Sequence, residues 1–243
     1  MSILKTVIRG SLRALGYTIT REMRPIRYGR PGIIGSFPPP DEWSLVGRPQ
    51  DWFMHDGYRH RESVSYCDAT GSAEEWQREV YQFAREVFDL HGLGTVCDIG
   101  CGSGHKLLQH FGHASTVGVD VPATCAVLRK RWPARSWLDS FTVPPVSVDL
   151  VIAADVIEHL QDPDELLGYI QKLHPKWIVV STPDRNLLRE GTHDGPPHEP
   201  THVREWSYAE FRAYIGSRFE IEAHFITWPA QATQCVLCRP RES

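Results

Sequence analysis

Thr95-Val96-Cys97-Asp98-Ile99-Gly100-Cys101-Gly102-Ser103-Gly104 is the stretch that decides the fold. Thr95 to Ile99 is a short β-rich run carrying an acid near its end, and glycine then takes every second position. His105-Lys106-Leu107-Leu108-Gln109-His110-Phe111 follows as a predicted helix. Glycines at this density are needed where a strand turns sharply into a helix and the backbone must approach a ligand closely. The stretch therefore reads as the nucleotide-binding turn of an open α/β sheet.

Which nucleotide it takes follows from two departures from the dinucleotide fingerprint Gly-x-Gly-x-x-Gly. The pattern here is Gly-x-Gly-x-Gly, with His105 where the third glycine of that fingerprint would fall. Asp98, just ahead of the first glycine, would repel a pyrophosphate and suits a ligand with a cationic end, such as the amino group of a methionine moiety. Downstream, Val117-Gly118-Val119-Asp120 is a second predicted strand ending in a carboxylate placed to grip ribose hydroxyls.

The rest of the chain alternates between strands and helices, as a doubly wound sheet requires. Ser72-Ala-Glu-Glu75 is a capping-box pattern predicting a helix to about His91, with Trp76, Val80, Phe83, Ala84, Val87 and Phe88 as its buried face. Pro122 opens a helix through Arg131, and a third strand around 135–138 ends at Asp139-Ser140. Val148 to Ala154 is an almost wholly apolar fourth strand, buried on both faces of a parallel sheet. Asp162-Pro163 starts another helix, and Trp177 to Thr182 is the fifth strand. A Pro-, Gly- and His-rich loop spans Pro183 to Trp206, and Ser207-Tyr-Ala-Glu210 caps a further helix. Phe219–Thr227 and Ala232–Cys238 alternate like a closing β-pair.

Asp155-Val-Ile-Glu158-His159 follows the fourth strand at its carboxyl end, where open α/β sheets place their ligands. A helix beginning here would set residues i, i+3 and i+4 on one face, joining two carboxylates to an imidazole. Such a mixed oxygen and nitrogen set suits Mg²⁺, Mn²⁺ or Zn²⁺. Without a metal, His159 or Asp155 would serve as general base for a substrate hydroxyl, and Glu158-His159 would otherwise only cap and orient a helix.

With Asp98-x-Gly-x-Gly-x-Gly, Asp120 and the Asp155 segment in order, the chain resembles the class I S-adenosylmethionine (SAM)-dependent methyltransferases. The resemblance implies a Rossmann-like, seven-stranded, mostly parallel sheet of order 3-2-1-4-5-7-6, its last strand antiparallel, with helices on both faces. It implies SAM as cofactor, held by Asp98, Gly100, Cys101, Gly102, Gly104, Asp120, Val121, Asp139, Ser140 and Ala154, with Asp139 accepting the adenine amine. The Asp155 segment looks like the acid-x-x-Glu-His signature of ubiquinone-type and small-RNA 3′-terminal O-methyltransferases, where it accompanies a divalent cation. Those groups usually carry Glu where this chain has the shorter Asp155. His202-Val-Arg-Glu205-Trp206 resembles the RNA group's later histidine, so the implied metal set is Asp155, Glu158, His159 and His202, with His193 and His198 as alternates.

Composition bounds the remaining choices. The 243 residues fit one α/β domain with decorations, expected at 72–243, after an N-terminal segment at 1–71. The formal charge of −4 offers no basic footprint for nucleic acid, which disfavours an RNA acceptor. Six scattered cysteines look like reduced thiols of a cytoplasmic protein, and Cys235-x-x-Cys238 alone is a weak zinc signal. Residues 1–20 combine helical apolar spacing with Lys5, Arg9 and Arg13. Such a helix lies on the inner face of an anionic membrane or packs on its own domain or a second subunit. Prolines punctuate 25–50, and the aromatics and histidines from Trp43 to Tyr66 suit either a lid or a set of anchors. Resemblance to methyltransferases of polysaccharide and glycolipid pathways, carried by Leu15-Gly16-Tyr17, His55-Asp-Gly-Tyr58-Arg-His60-Arg and the Gly195–His202 loop, implies a sugar or glycan acceptor. Quinone or aromatic O-methylation and a catalytically dead interaction module are the rivals, and the intact glycine and acid motifs oppose the latter.

Overall fold

The computed structural model describes residues 18–19, 25–26, 47–64, 76–144, 146–189, 193–227 and 232–241. The amphipathic start and the Ser72–Glu75 capping box lie outside the described residues, as does most of the proline-rich stretch. Seven strands form one sheet: β1 Thr95–Ile99, β2 Ser115–Asp120, β3 Ser136–Asp139, β4 Leu150–Ala154, β5 Trp177–Pro183, β6 Phe219–Ile226 and β7 Thr233–Pro240. Their order is β3-β2-β1-β4-β5-β7-β6, parallel from β3 to β5, with β7 antiparallel to both neighbours. This is the Rossmann-like order 3-2-1-4-5-7-6 expected above.

Period-2 alternation splits each central strand between two cores. Val96, Leu150, Ile152 and Val179 face α1 (Arg78–Leu90), α2 (His105–Phe111) and α3 (Pro122–Arg131). Cys97, Val151, Ile178 and Val180 face α4 (Pro163–Leu173) and α6 (Tyr208–Arg218). Cys235 belongs to the first core and Cys238 to the second. Three residues apart on one strand, they sit on opposite faces and cannot share a zinc.

Local chemistry sets the ends of the helices. Asp162 accepts from the Asp164 N–H at the start of α4, and Ser207 and Glu210 close a reciprocal capping box on α6. Three expectations are corrected. The described helix α1 begins at Arg78, after Gln77 in the left-handed region at φ 64°, and Trp76 is 60% exposed instead of buried. The 183–206 loop contains a short helix, α5 (Arg185–Arg189). Asp155 does not begin a helix: its φ is +53°, and only a single 3₁₀ turn, Ile157–His159, follows before α4.

Candidate active site

A cleft of about 1030 Å³ runs along the carboxyl ends of β1, β2 and β4. One half is built by the glycine turn. Gly100, Gly102 and Gly104 all have positive φ. A Cβ on Gly100 would lie 2.3 Å from the Val156 side chain, and one on Gly104 would lie 2.8 Å from the Trp137 ring, so neither position admits a larger residue. Gly102 N–H donates to Asp120 Oδ2 at 2.8 Å, and Val121 N–H donates to Oδ1 at 2.7 Å. Gly100, Cys101, Gly102, Asp120, Val121, Ser140 and Ala154 line the cleft.

Asp98, Gly104 and Asp139 do not line it, for three different reasons. Asp98 is fully buried and receives the Tyr81 hydroxyl on both oxygens, at 2.9 and 3.1 Å. Burial pushes its pKa up to about 7, against the opposing pull of Tyr81 and the Lys106 charge. Its influence on the cleft is therefore exerted through Tyr81, which does line it. Gly104 is spent on the turn itself. Asp139 is half-exposed and pairs with Arg129 at 2.8 Å, leaving Ser140 and Phe141 as the cleft wall at that end.

The other half gathers acids and imidazoles beyond β4. Glu158, His159 and His202 each offer a ligand atom within 4.8 Å of the others. Glu158 is 1% exposed, and its Oε2 accepts from the Thr182 hydroxyl at 3.0 Å. Burial, then the neighbouring Asp155 charge, raises its pKa well above the carboxylate range. His159 Nδ1 meets the Thr201 carbonyl at 2.7 Å and must donate to it, so the neutral ring carries its lone pair on Nε2. Burial lowers its pKa to about 4. His202 Nδ1 meets Glu205 Oε1 at 2.8 Å, and the two rings stand edge to face at 5.0 Å.

Asp155 stands outside this cluster. Its Oδ1 accepts the Ser181 hydroxyl at 2.6 Å, its carboxyl is raised by burial, and its left-handed backbone turns it away from the helical register expected for it. His193 and His198 are not in the cluster either; they pair with each other edge to face at 5.1 Å.

The family model described as "Methyltransferase domain" matches residues 69–237. The chain belongs to that family. That family is the class I SAM-dependent methyltransferases. A probable S-adenosylmethionine-dependent methyltransferase of Mycolicibacterium smegmatis is 32% identical over 160 residues, 59% of this chain and 61% of that protein. A small RNA 2′-O-methyltransferase of Mus musculus is 27% identical over 173 residues, 56% of this chain and 41% of that protein. The chain thus spans less than two thirds of either relative. Among solved structures, the small RNA methyltransferase HEN1 is similar with a TM-score of 0.53 at 22% identity, over 74% of this chain and 27% of that one. The methyltransferase domain of bacterial CtHen1-C gives 0.52 at 20% identity, over 68% and 99%. These likenesses show the shared fold.

In this methyltransferase the segment at 47–64 is a strap laid over the 193–207 loop. Arg59 and Arg61 donate main-chain N–H groups to Asp194 and Val203, and their guanidiniums donate to the carbonyls of Gly195, Pro197 and His202. Arg204, 1% exposed, donates to the carbonyls of Leu160 and Gln161 and lies 4.2 Å from the Trp52 ring. His55 bonds Glu210, and the Trp206 indole donates to the Trp52 carbonyl. Of the strap only Val64 lines the cleft, so Trp52, Phe53, His55, Tyr58 and His60 are anchors and do not form its wall. Tyr81, Ser181, Thr182, Thr201 and Arg204 are site-forming residues that sequence reasoning missed. Tyr81 alone left a trace, as a polar-tipped ring on an otherwise apolar helix face.

Proposed function

We propose that this methyltransferase moves the SAM methyl group to a hydroxyl of a sugar or glycan acceptor, with a divalent cation held by Glu158, His159 and His202. The carrying observation is the convergence of one carboxylate and two imidazoles within 4.8 Å at the β4 end of the cleft. The residues fit a cation on their own chemistry. Each ring has its Nδ1 engaged, by a carbonyl or a carboxylate, so Nε2 is the donor each presents. The buried Glu158 carboxyl, whose charged form is disfavoured beside Asp155, gains a counter-charge when a cation arrives. When bound, such a cation lowers the acceptor hydroxyl's pKa and orients a neighbouring oxygen.

The chain's own residues do the rest. Gly100, Gly102 and Asp120 take the nucleoside, with the Asp120 carboxylate on the ribose hydroxyls. Tyr81 and Lys106 flank the amino-acid end. The sulfonium carries its own leaving group, so alignment of acceptor oxygen, methyl carbon and sulfur supplies most of the rate. His159, with a pKa near 4, is a weak proton acceptor at neutral pH. Asp155, raised by burial, takes the hydroxyl proton in this reading.

Charge favours a neutral, polyhydroxylated acceptor. Among the described residues, the Lys and Arg side chains lining the cleft amount to Lys106, against Asp120, Asp155, Glu158, Glu199 and Glu205. Arg59, Arg61 and Arg204, which flank the same loop, are spent on main-chain carbonyls. A polyanionic acceptor needs cations at the mouth. The second reading, a 3′-terminal ribose of RNA, is favoured by the mouse relative. Incubation with SAM and a panel of nucleotide sugars, glycolipids, catechols and short RNAs, read by mass spectrometry, is expected to add one methyl to a sugar hydroxyl. Chelator should stop turnover and Mn²⁺ restore it. Full turnover by metal-stripped enzyme in chelator removes the cation from this reading, and transfer to RNA alone replaces the acceptor.

A further inference from the structure

Glu205 follows His202 by three residues and is fully buried. Its main chain is clamped from two sides. The Glu205 N–H donates to the Tyr58 hydroxyl oxygen at 3.0 Å, and its carbonyl accepts from the Arg185 guanidinium at 2.9 Å. Arg185 is 1% exposed and ion-paired with Glu210 at 2.8 Å, so this clamp is itself anchored. Tyr58 is braced by the Arg185 guanidinium 5.1 Å from its ring centroid and by the rings of His55 and His60 edge-on. From this fixed main chain the Glu205 carboxylate reaches His202 Nδ1 at 2.8 Å.

We propose that Glu205 is the positioning residue of the acceptor half: it holds His202 with its hydrogen on Nδ1 and its Nε2 lone pair turned toward Glu158 and His159. Tyr58, from the strap, keeps Glu205 in place. An ionised carboxylate can only accept hydrogen bonds, so the ring nitrogen facing it must carry the hydrogen. The same contact makes Nε2 a stronger donor to a cation, as outer-shell carboxylates do for metal-bound histidines. Burial of Glu205 keeps water from competing for the ring. The inference rests on reading Glu158, His159 and His202 as a cation site, and it gives the strap a role in that site without any strap aromatic entering the cleft.

The test uses the full chain labelled with ¹⁵N-histidine, long-range ¹H–¹⁵N correlation for the His202 tautomer, and calorimetry with Mn²⁺ alone and with SAM alone. In the wild type His202 is expected as the Nδ1–H tautomer. Glu205→Ala should lose that tautomer and weaken Mn²⁺ binding about 10- to 100-fold, with SAM affinity unchanged as the sign of an intact fold. Glu205→Gln, which keeps an acceptor oxygen without the charge, should retain the tautomer with a smaller loss of Mn²⁺ affinity. Tyr58→Phe, which removes the hydroxyl that accepts the Glu205 N–H, should give a mixture of tautomers. A wild-type His202 with its hydrogen on Nε2 overturns the proposal even if the alanine variant does not fold. So does a folded Glu205→Ala protein with the wild-type tautomer and wild-type Mn²⁺ affinity. If the wild type binds no Mn²⁺ yet its Nδ1–H tautomer is lost in Glu205→Ala, the cation reading fails while the orienting role of Glu205 stands.

Discussion

The glycine-turn half of the cleft and the acid–imidazole half are assembled by different rules. The first is made by neighbours in sequence or in the sheet: Gly102 reaches Asp120 across 18 positions, from the turn after β1 to the end of its paired strand β2. The second is held by side chains reaching main-chain groups far along the chain. His159 meets Thr201 across 42 positions, and Arg59 meets Gly195 across 136. A site of the first kind is secured once its strands pair; a site of the second kind depends on a strap staying down. The difference implies that the two halves can be damaged separately.

The largest expected separation comes from His159→Ala. Turnover should fall roughly a hundredfold or more through loss of one of the three cation donors, while SAM affinity by calorimetry stays at the wild-type value. Parallel loss of SAM binding would show that the halves are one unit. Asp120→Ala is the converse. It should weaken SAM binding at least about tenfold by removing the proposed ribose contact and the partner of Gly102 N–H, with the His202 tautomer untouched.

A smaller effect tests how the 193–207 loop is tied down. Arg204→Met keeps most of the bulk but leaves the Leu160 and Gln161 carbonyls without their donor, which should cost about 2–4 kcal/mol in urea unfolding. Amide exchange should quicken in 193–207 and remain unchanged in 95–104. Acidity offers a milder probe. His60 accepts from Arg204 Nε at 3.2 Å, and burial, then the Arg204 charge, lowers its pKa to about 4. The unfolded chain, near 6.5, binds the proton more readily, so this contribution is complete above pH 6.5 and lost as pH falls toward 4. His60→Asn should flatten the fall in melting temperature between pH 7 and 5, and an unchanged slope would assign that fall to other groups. The smallest effect concerns neither half: deleting residues 1–20 should abolish sedimentation with anionic vesicles and leave SAM affinity intact. Absence of vesicle binding by the whole protein would end that idea.

The same difference explains what could be read from the amino acids. The strands themselves, the glycine turn, Asp120 at a strand end and the caps at Asp162 and Ser207 depend on local pattern and were legible, whereas the strand order came from the resemblance to the family. Glu158 and His159 were legible as candidates on the assumption of a helix at Asp155, and His202 only through the resemblance to the RNA group. Their meeting instead depends on a left-handed Asp155, one 3₁₀ turn and a loop tied back through Thr201. No periodicity announces such a tie. Asp139 came from the resemblance as the partner of the adenine amine, and no local pattern shows that its carboxylate pairs with Arg129, one helix away, instead of lining the cleft. The strap's aromatics read equally as lid or anchor, because only distant partners such as Arg204 and Glu210 decide between the two.

Gly100 has one more consequence. The side-chain position it leaves empty is where Val156 sits, immediately after Asp155 and two residues before Glu158. The cofactor turn and the chemistry-bearing segment are therefore set in register by the width of a single absent methyl group. A nucleoside that moved the turn by a fraction of an ångström would be felt at the acids, with no domain motion needed to carry the message.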